Sequence, residues 1–249
     1  LVNGGKTDIN ITLDKNIDLT GKDWTPIGTS FDNSYTGTFD GGGHTITGLT
    51  ITTKDQFVGL FGYLNRAGTV KNVVMEGIQI TSNHGSSQAG GVVGFSRGTI
   101  ENCSVSGSVS GTMYVGGVVG AQWGGSITGC SSSATVKGTV DVGGVAGEKW
   151  GSMTACYATG NVTLEIDSPK NLSGGGLVGF NGGSSVLACY ATGNVTSTGS
   201  STGNVHIGGF LGDNYTTVTA CYWKNNHEQG IGYNRRSTGA TKVDGSVVT

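Results

Sequence analysis

Gly176-Leu177-Val178-Gly179-Phe180-Asn181, followed shortly by Ala188-Cys189-Tyr190-Ala191-Thr192-Gly193-Asn194-Val195, has the pattern of a β-strand repeat. Its second half is small or apolar at every second residue: Cys189, Ala191, Gly193, Val195. Tyr190, Thr192 and Asn194 lie between them. Such alternation marks a strand with one buried face. The same alternation occurs one unit earlier, at Cys156, Ala158, Gly160 and Val162.

Working outward, the Gly-x-x-Gly core occurs six times, ending at Gly62, Gly94, Gly120, Gly147, Gly179 and Gly212. These glycines are separated by 32, 26, 27, 32 and 33 residues. An apolar landmark follows each one: Val70, Ile100, Ile127, Met153, Val186, Val218. Three residues later comes a second: Val73, Cys103, Cys130, Cys156, Cys189, Cys221. The step between the two landmarks breaks the alternation and predicts a bend. A unit of about 26 residues is too short for a propeller blade of about 40, and the leucine-rich-repeat signature is missing. The reading is all-β: a right-handed parallel β-helix with three short strands per coil. One coil cannot bury its apolar face alone, whereas stacked coils can. Gln79 to Gln88, Leu164 to Ser173 and Ser197 to His206 read as exposed loops. The motif glycines have two explanations, positive φ at bends or close approach of backbones.

Composition agrees. The chain has 48 glycines among 249 residues and only 2 prolines, without a three-residue period, which excludes collagen. Apolar residues throughout argue against a disordered linker. A net charge of −2 with scattered basic residues gives no electrostatic support for nucleic-acid binding. No apolar run is long enough to span a bilayer as a helix. The five cysteines recur at one position of successive coils, which predicts a buried structural row continuing from Val73 rather than a reactive or metal site. No cofactor or metal is expected.

Residues 1–55 read as N-terminal coils or a cap, with an excursion around Gly28 to Thr36 and a glycine turn at Asp40 to His44. Residues 56–223 hold the six repeats. Residues 224–249 read as a loop, Asn225 to Arg236, and a final strand, Thr241 to Thr249. Neither end looks like a sufficient cap, so flanking domains of a longer chain are expected.

The units resemble GLUG-motif repeats, carried by the stretch quoted above. Asp18 to Gly28 and Thr36 to Leu49 resemble the segment that commonly precedes such repeats in bacterial surface proteins. That resemblance implies a secreted or cell-surface location and a scaffold or adhesin-like role. Related repeats also form an accessory region of immunoglobulin A peptidases, whose metal-binding His-Glu-x-x-His is missing here.

Three residues beyond the final glycines stand Trp123, Trp150 and Tyr215, the candidate ligand-binding residues. Trp123 and Trp150 are one coil apart, at a corner where aromatic faces can stack on sugar rings. The competing reading has the two rings packing on each other over a bend. Tyr157, Tyr190 and Tyr222 follow the cysteines and should face outward. Glu148 and Asp213 occupy equivalent positions two coils apart, about 9.6 Å, but the sequence shows no acidic cluster around them. The expected function is therefore a non-catalytic surface module offering a face to a host glycoprotein or polysaccharide. The alternatives are a polysaccharide lyase or hydrolase on the same fold, and a spacer within a larger secreted protease.

Overall fold

The structure, a computed structural model, describes residues 2–166, 171–235 and 241–242. It is an all-β solenoid whose paired strands all run parallel, each strand bonding to its counterpart in the next coil. One coil shows the plan. Gln88–Gly90, Val93–Ser96, Thr99–Glu101 and Ser104–Ser110 follow one another and enter four different sheets. We call these sheets one to four. They contain six, seven, eight and thirteen strands, the fourth being largest because its later strands divide in two, as at Ser131–Ser132 and Thr135–Gly138.

Four strands per coil corrects the expected three. The Gly-x-x-Gly core is not one strand but a corner between sheets one and two. Gly91 and Val92 turn the chain, and Val93 begins the next strand. The missed strand lay inside segments read as loops. Gln88–Gly90 begins at Gln88, Leu172–Gly175 includes Ser173, and Val205–Gly208 includes His206. Part of the Leu164 to Ser173 loop, residues 167–170, lies outside the described residues. Ile231–Asn234, read as loop, pairs in parallel with Leu211–Asn214. Of the expected last strand, Thr241–Lys242 pairs with Tyr222–Trp223, and 243–249 lie outside the described residues.

The glycine question resolves towards close approach. Among the described residues, none of the motif glycines from Gly59 to Gly212 has a positive φ. A Cβ on Gly91 would sit 2.5 Å from the carbonyl oxygen of Gly117 in the next coil. One on Gly120 would sit 2.6 Å from both the carbonyl oxygen of Gly94 and the amide of Ala89. Sheets one and two therefore fold face to face with only hydrogen atoms between their backbones.

The predicted bend falls between sheets three and four and does use the left-handed region. Asn72, Asn102, Gly129, Ala155, Ala188 and Ala220 form one row there, with φ from 49° to 63°. Asn tolerates this conformation through local hydrogen bonding, glycine is free in it, and alanine is strained.

The core is continuous along the coils. Phe39, Val70, Ile100, Ile127, Met153, Val186 and Val218 align in register on the inner face of sheet three. All seven are buried, and each fully buried Val or Leu in such a row contributes about 1.5–3 kcal/mol of transfer free energy. The Val73 and cysteine positions lie beside this row, all buried, and the cysteines are free thiols. Cys156 donates its backbone N–H to Sγ of Cys189 at 3.3 Å, and Cys189 likewise to Cys221 at 3.4 Å.

Candidate binding site

The outer rows of sheets one and two lie side by side and build a stripe along the solenoid. In sheet two, register brings Tyr63, Phe95, Ala121, Glu148, Phe180, Asp213 and Tyr233 into one row. In sheet one, Phe57, Gln88, Tyr114, Asp141, Ser173 and His206 form the neighbouring row. Beside sheet two, at the corner towards sheet three, stand Trp123, Trp150 and Tyr215.

Aromatic contacts run along this stripe from coil to coil. Phe31 meets Tyr63 at 6.0 Å between ring centroids, Tyr63 meets Phe95 at 4.6 Å, and Phe95 meets Trp123 at 5.4 Å. Trp150 meets Phe180 at 5.8 Å, and Phe180 meets Tyr215 at 5.2 Å. Arg97 lies over Phe31 and Phe95, and Arg235 over Tyr215 and Tyr233. The three predicted residues are thus brought together, with Phe180 linking Trp150 to Tyr215.

Trp123 and Trp150 are tied through a third residue. Glu148 accepts the indole N–H of Trp123 on Oε2 at 2.6 Å and that of Trp150 on Oε1 at 2.8 Å. Backbone bonds fix both, from Trp123 N–H to the Ser96 carbonyl and from Trp150 N–H to the Gln122 carbonyl. Their rings remain 48% and 44% exposed and line a recess of about 320 Å³. With both N–H groups committed, what the rings offer a ligand is their faces.

Sequence reasoning named Glu148 and Asp213 but missed Asp141 and the place of His206 beside them. Asp141, in the row next to Glu148, is buried. Burial, then the carboxylates of Glu148 and Asp213, hold its carboxyl well above the usual range, against a hydrogen bond with Ser173. Burial, helped by Glu148 and Asp141, pushes the Tyr114 hydroxyl up to about 12. Asp213 Oδ1 lies 2.7 Å from His206 Nδ1, and its Oδ2 accepts from Ser173 Oγ at 3.3 Å. An acidic cluster therefore exists where none was expected. Its signal was the residue two before the glycine that ends each sheet-one strand: Gln88, Tyr114, Asp141, Ser173, His206. Their chemical variety hid the row. No group of three or more His, Cys, Asp or Glu side chains among the described residues is arranged to hold a metal ion.

Elsewhere, Tyr157 and Tyr190 stack on the outer face of sheet four at 4.8 Å and 3° between planes. Asp40 serves its turn, accepting from the Gly42 amide and from Asn72 Nδ2, both at 2.9 Å, and lying 3.3 Å from Lys71.

Comparison with known proteins agrees with this geometry. Residues 85–110, 111–137 and 171–196 match the GLUG motif. Halomucin of Haloquadratum walsbyi is 39% identical over 119 residues, which is 44% of this chain and 1% of halomucin. A "Putative Gly-rich membrane protein" of Evansella cellulosilytica is 35% identical over 97 residues, 39% of this chain and 11% of that protein. The chain thus matches only a small part of the length of these curated relatives. A crystal structure of a "putative immunoglobulin A1 protease" from Bacteroides ovatus superimposes with a TM-score of 0.76 at 24% identity, covering 94% of this chain and 76% of that one. That likeness concerns the fold. Among the described residues no helix is long and apolar enough to cross a membrane, which leaves strand-built spans aside. Three coils of the parallel solenoid, at residues 85–110, 111–137 and 171–196, thus carry the GLUG motif.

Proposed function

We propose that this chain is a non-catalytic module of a secreted or cell-surface protein, and that its aromatic stripe is a binding face for a polysaccharide or host glycoprotein. The observation that carries the reading is two runs of rings, Phe31 to Trp123 and Trp150 to Tyr215, with Trp123 and Trp150 exposed at their adjoining ends. Exposed indole faces favour the apolar faces of pyranose rings. Successive coils are about 4.8 Å apart, so an extended glycan laid along the axis meets exposed Trp123 and Trp150 from adjacent coils. The names of the relatives, a mucin and a membrane protein, fit a surface setting.

The test is a glycan and mucin array. The expected result is selective binding, reduced at least tenfold by Trp123→Ala plus Trp150→Ala with the circular dichroism spectrum unchanged. No binding across a broad panel overturns the reading and favours a spacer.

A second reading has one specific observation in its favour. Asp141, whose carboxyl is held well above the usual range by burial and by Glu148, has the environment of a general acid in polysaccharide hydrolysis. It requires release of new reducing ends from a polysaccharide panel and loss of that release in Asp141→Asn. Without release, the enzyme reading falls.

A further inference from the structure

The recess between Trp123 and Trp150 carries a chemical preference of its own. Glu148 is buried, at 6% exposure, and the two indole N–H groups that bind it are neutral. None of the ion pairs among the described residues involves it. Lys149, next in the chain, and Arg97 are engaged elsewhere. Lys149 turns to the interior, where Nζ donates to Asn181 Oδ1 and to the Ser184 carbonyl. Arg97 lies over Phe31 and Phe95. A carboxylate withdrawn from water without a counter-cation is costly to the fold.

The rings beside that charge are backed on their far sides. Phe95 of the preceding coil supports Trp123. Phe180 of the following coil supports Trp150, and a Cβ on Gly182 would sit 3.0 Å from that indole. The recess of about 320 Å³ is thus lined by both indoles, with Glu148 bonded to each. Ring faces carry the negative part of the aromatic quadrupole, and a cation held between two of them is stabilised further by an adjacent unpaired carboxylate. A bare metal ion is too strongly hydrated to exploit ring faces. A cation sheathed in methyl or methylene groups gains from both the charge and the apolar walls.

We infer that the Trp123–Glu148–Trp150 slot binds an alkylammonium group of the choline type. This goes beyond the glycan reading, since it asks for a positive charge that a neutral sugar lacks. The site is small, so affinity for the free ion should be modest, with a dissociation constant on the order of 1 mM.

The test is tryptophan fluorescence of the full chain, titrated with choline chloride at constant ionic strength. The paired probe is 3,3-dimethyl-1-butanol, the same shape without the charge. Saturable quenching by choline, at least tenfold stronger than by the neutral alcohol, is expected. Glu148→Gln and, separately, Trp150→Leu should each weaken choline binding at least tenfold. Two variants are used because Glu148 also orients the rings; each is checked for an unchanged circular dichroism spectrum. Equal responses to choline and the alcohol overturn the inference, as does no response to either. Binding to phosphatidylcholine vesicles with none to free choline also overturns it and points to a membrane surface instead. A glycan-array signal that persists without any choline response overturns this inference while leaving the glycan role standing.

Discussion

The indole N–H of Trp123 donates to Oε2 of Glu148 at 2.6 Å, across the boundary between two coils. The ring is thereby set by the neighbouring coil as well as its own, and Trp150 is held to the same carboxylate. Hydrogen bonds to a charged acceptor contribute about 1.5–3 kcal/mol each. Glu148→Ala should lower the unfolding free energy by about 2 kcal/mol and lower the anisotropy of tryptophan emission as both rings loosen. A denaturant titration followed by fluorescence measures both. Unchanged anisotropy would show that the rings are held by packing alone.

Lys149 makes stability depend on pH. Its side chain is fully buried, and burial depresses its amine from the usual 10.5 to about 7. Between these values the unfolded chain is protonated at this position and the folded chain is not. Stability therefore rises with pH from about 7 towards 10.5, and the lysine penalty is fully present below 7. The rise should total on the order of 5 kcal/mol. Above pH 10 the hydroxyls of buried Tyr35 and half-buried Tyr114, both pushed up to about 12, work in the opposite direction. Urea midpoints between pH 7 and 9.5 should climb in the native protein and stay level in Lys149→Met. A level native profile would mean that water reaches the amine.

The bend row carries avoidable strain. Ala155 and Ala188 sit at φ 53°, where Gly129 occupies the equivalent position one coil earlier than Ala155. An L-residue with a Cβ is disfavoured there by roughly 1–2 kcal/mol. Ala155→Gly and Ala188→Gly should each stabilise the protein by about 1 kcal/mol, after the entropy that glycine adds to the unfolded chain. Ala155→Val should destabilise it. Thermal unfolding distinguishes the signs, and a glycine variant that melts lower would place the strain elsewhere.

The cysteine row should be chemically silent. All five thiols are buried and free. Hydrogen bonding within the row, assisted by burial, pushes Cys156 and Cys189 up to about 12, so little thiolate exists at neutral pH. A thiol-reactive dye should label none of the five in the folded protein and all five in denaturant. Rapid native labelling of any one would locate a coil that opens readily.

The inward rows were the most legible part of the fold, because chemically similar residues recur at one spacing. Ile100, Ile127 and Met153 look alike, and Cys103, Cys130 and Cys156 are identical. The division of the glycine core into two strands was not legible. Close approach of two backbones selects only for a missing Cβ, and leaves no alternation to read around Gly91 or Gly117. The candidate site was half legible. Trp123 and Trp150 stood out as a matched pair one coil apart. Asp141 and His206 did not, since neighbours in their row are as different as Tyr114 and Ser173. The place of Lys149 was not legible for another reason: a lone charged residue gives no sign of burial, yet this one continues an interior row through Gln122, Asn181 and Asn214.

The parallel register between coils also has a mechanical side. Every backbone bond between successive coils points along the solenoid, and each coil touches little beyond its two neighbours. Pulling the two ends apart therefore loads the terminal coil first and peels it before the next one yields. Each coil of about 26 residues releases roughly 90 Å of extended chain when it goes. A surface protein carrying this segment lengthens stepwise under load instead of snapping, and it rewinds from whichever coil remains.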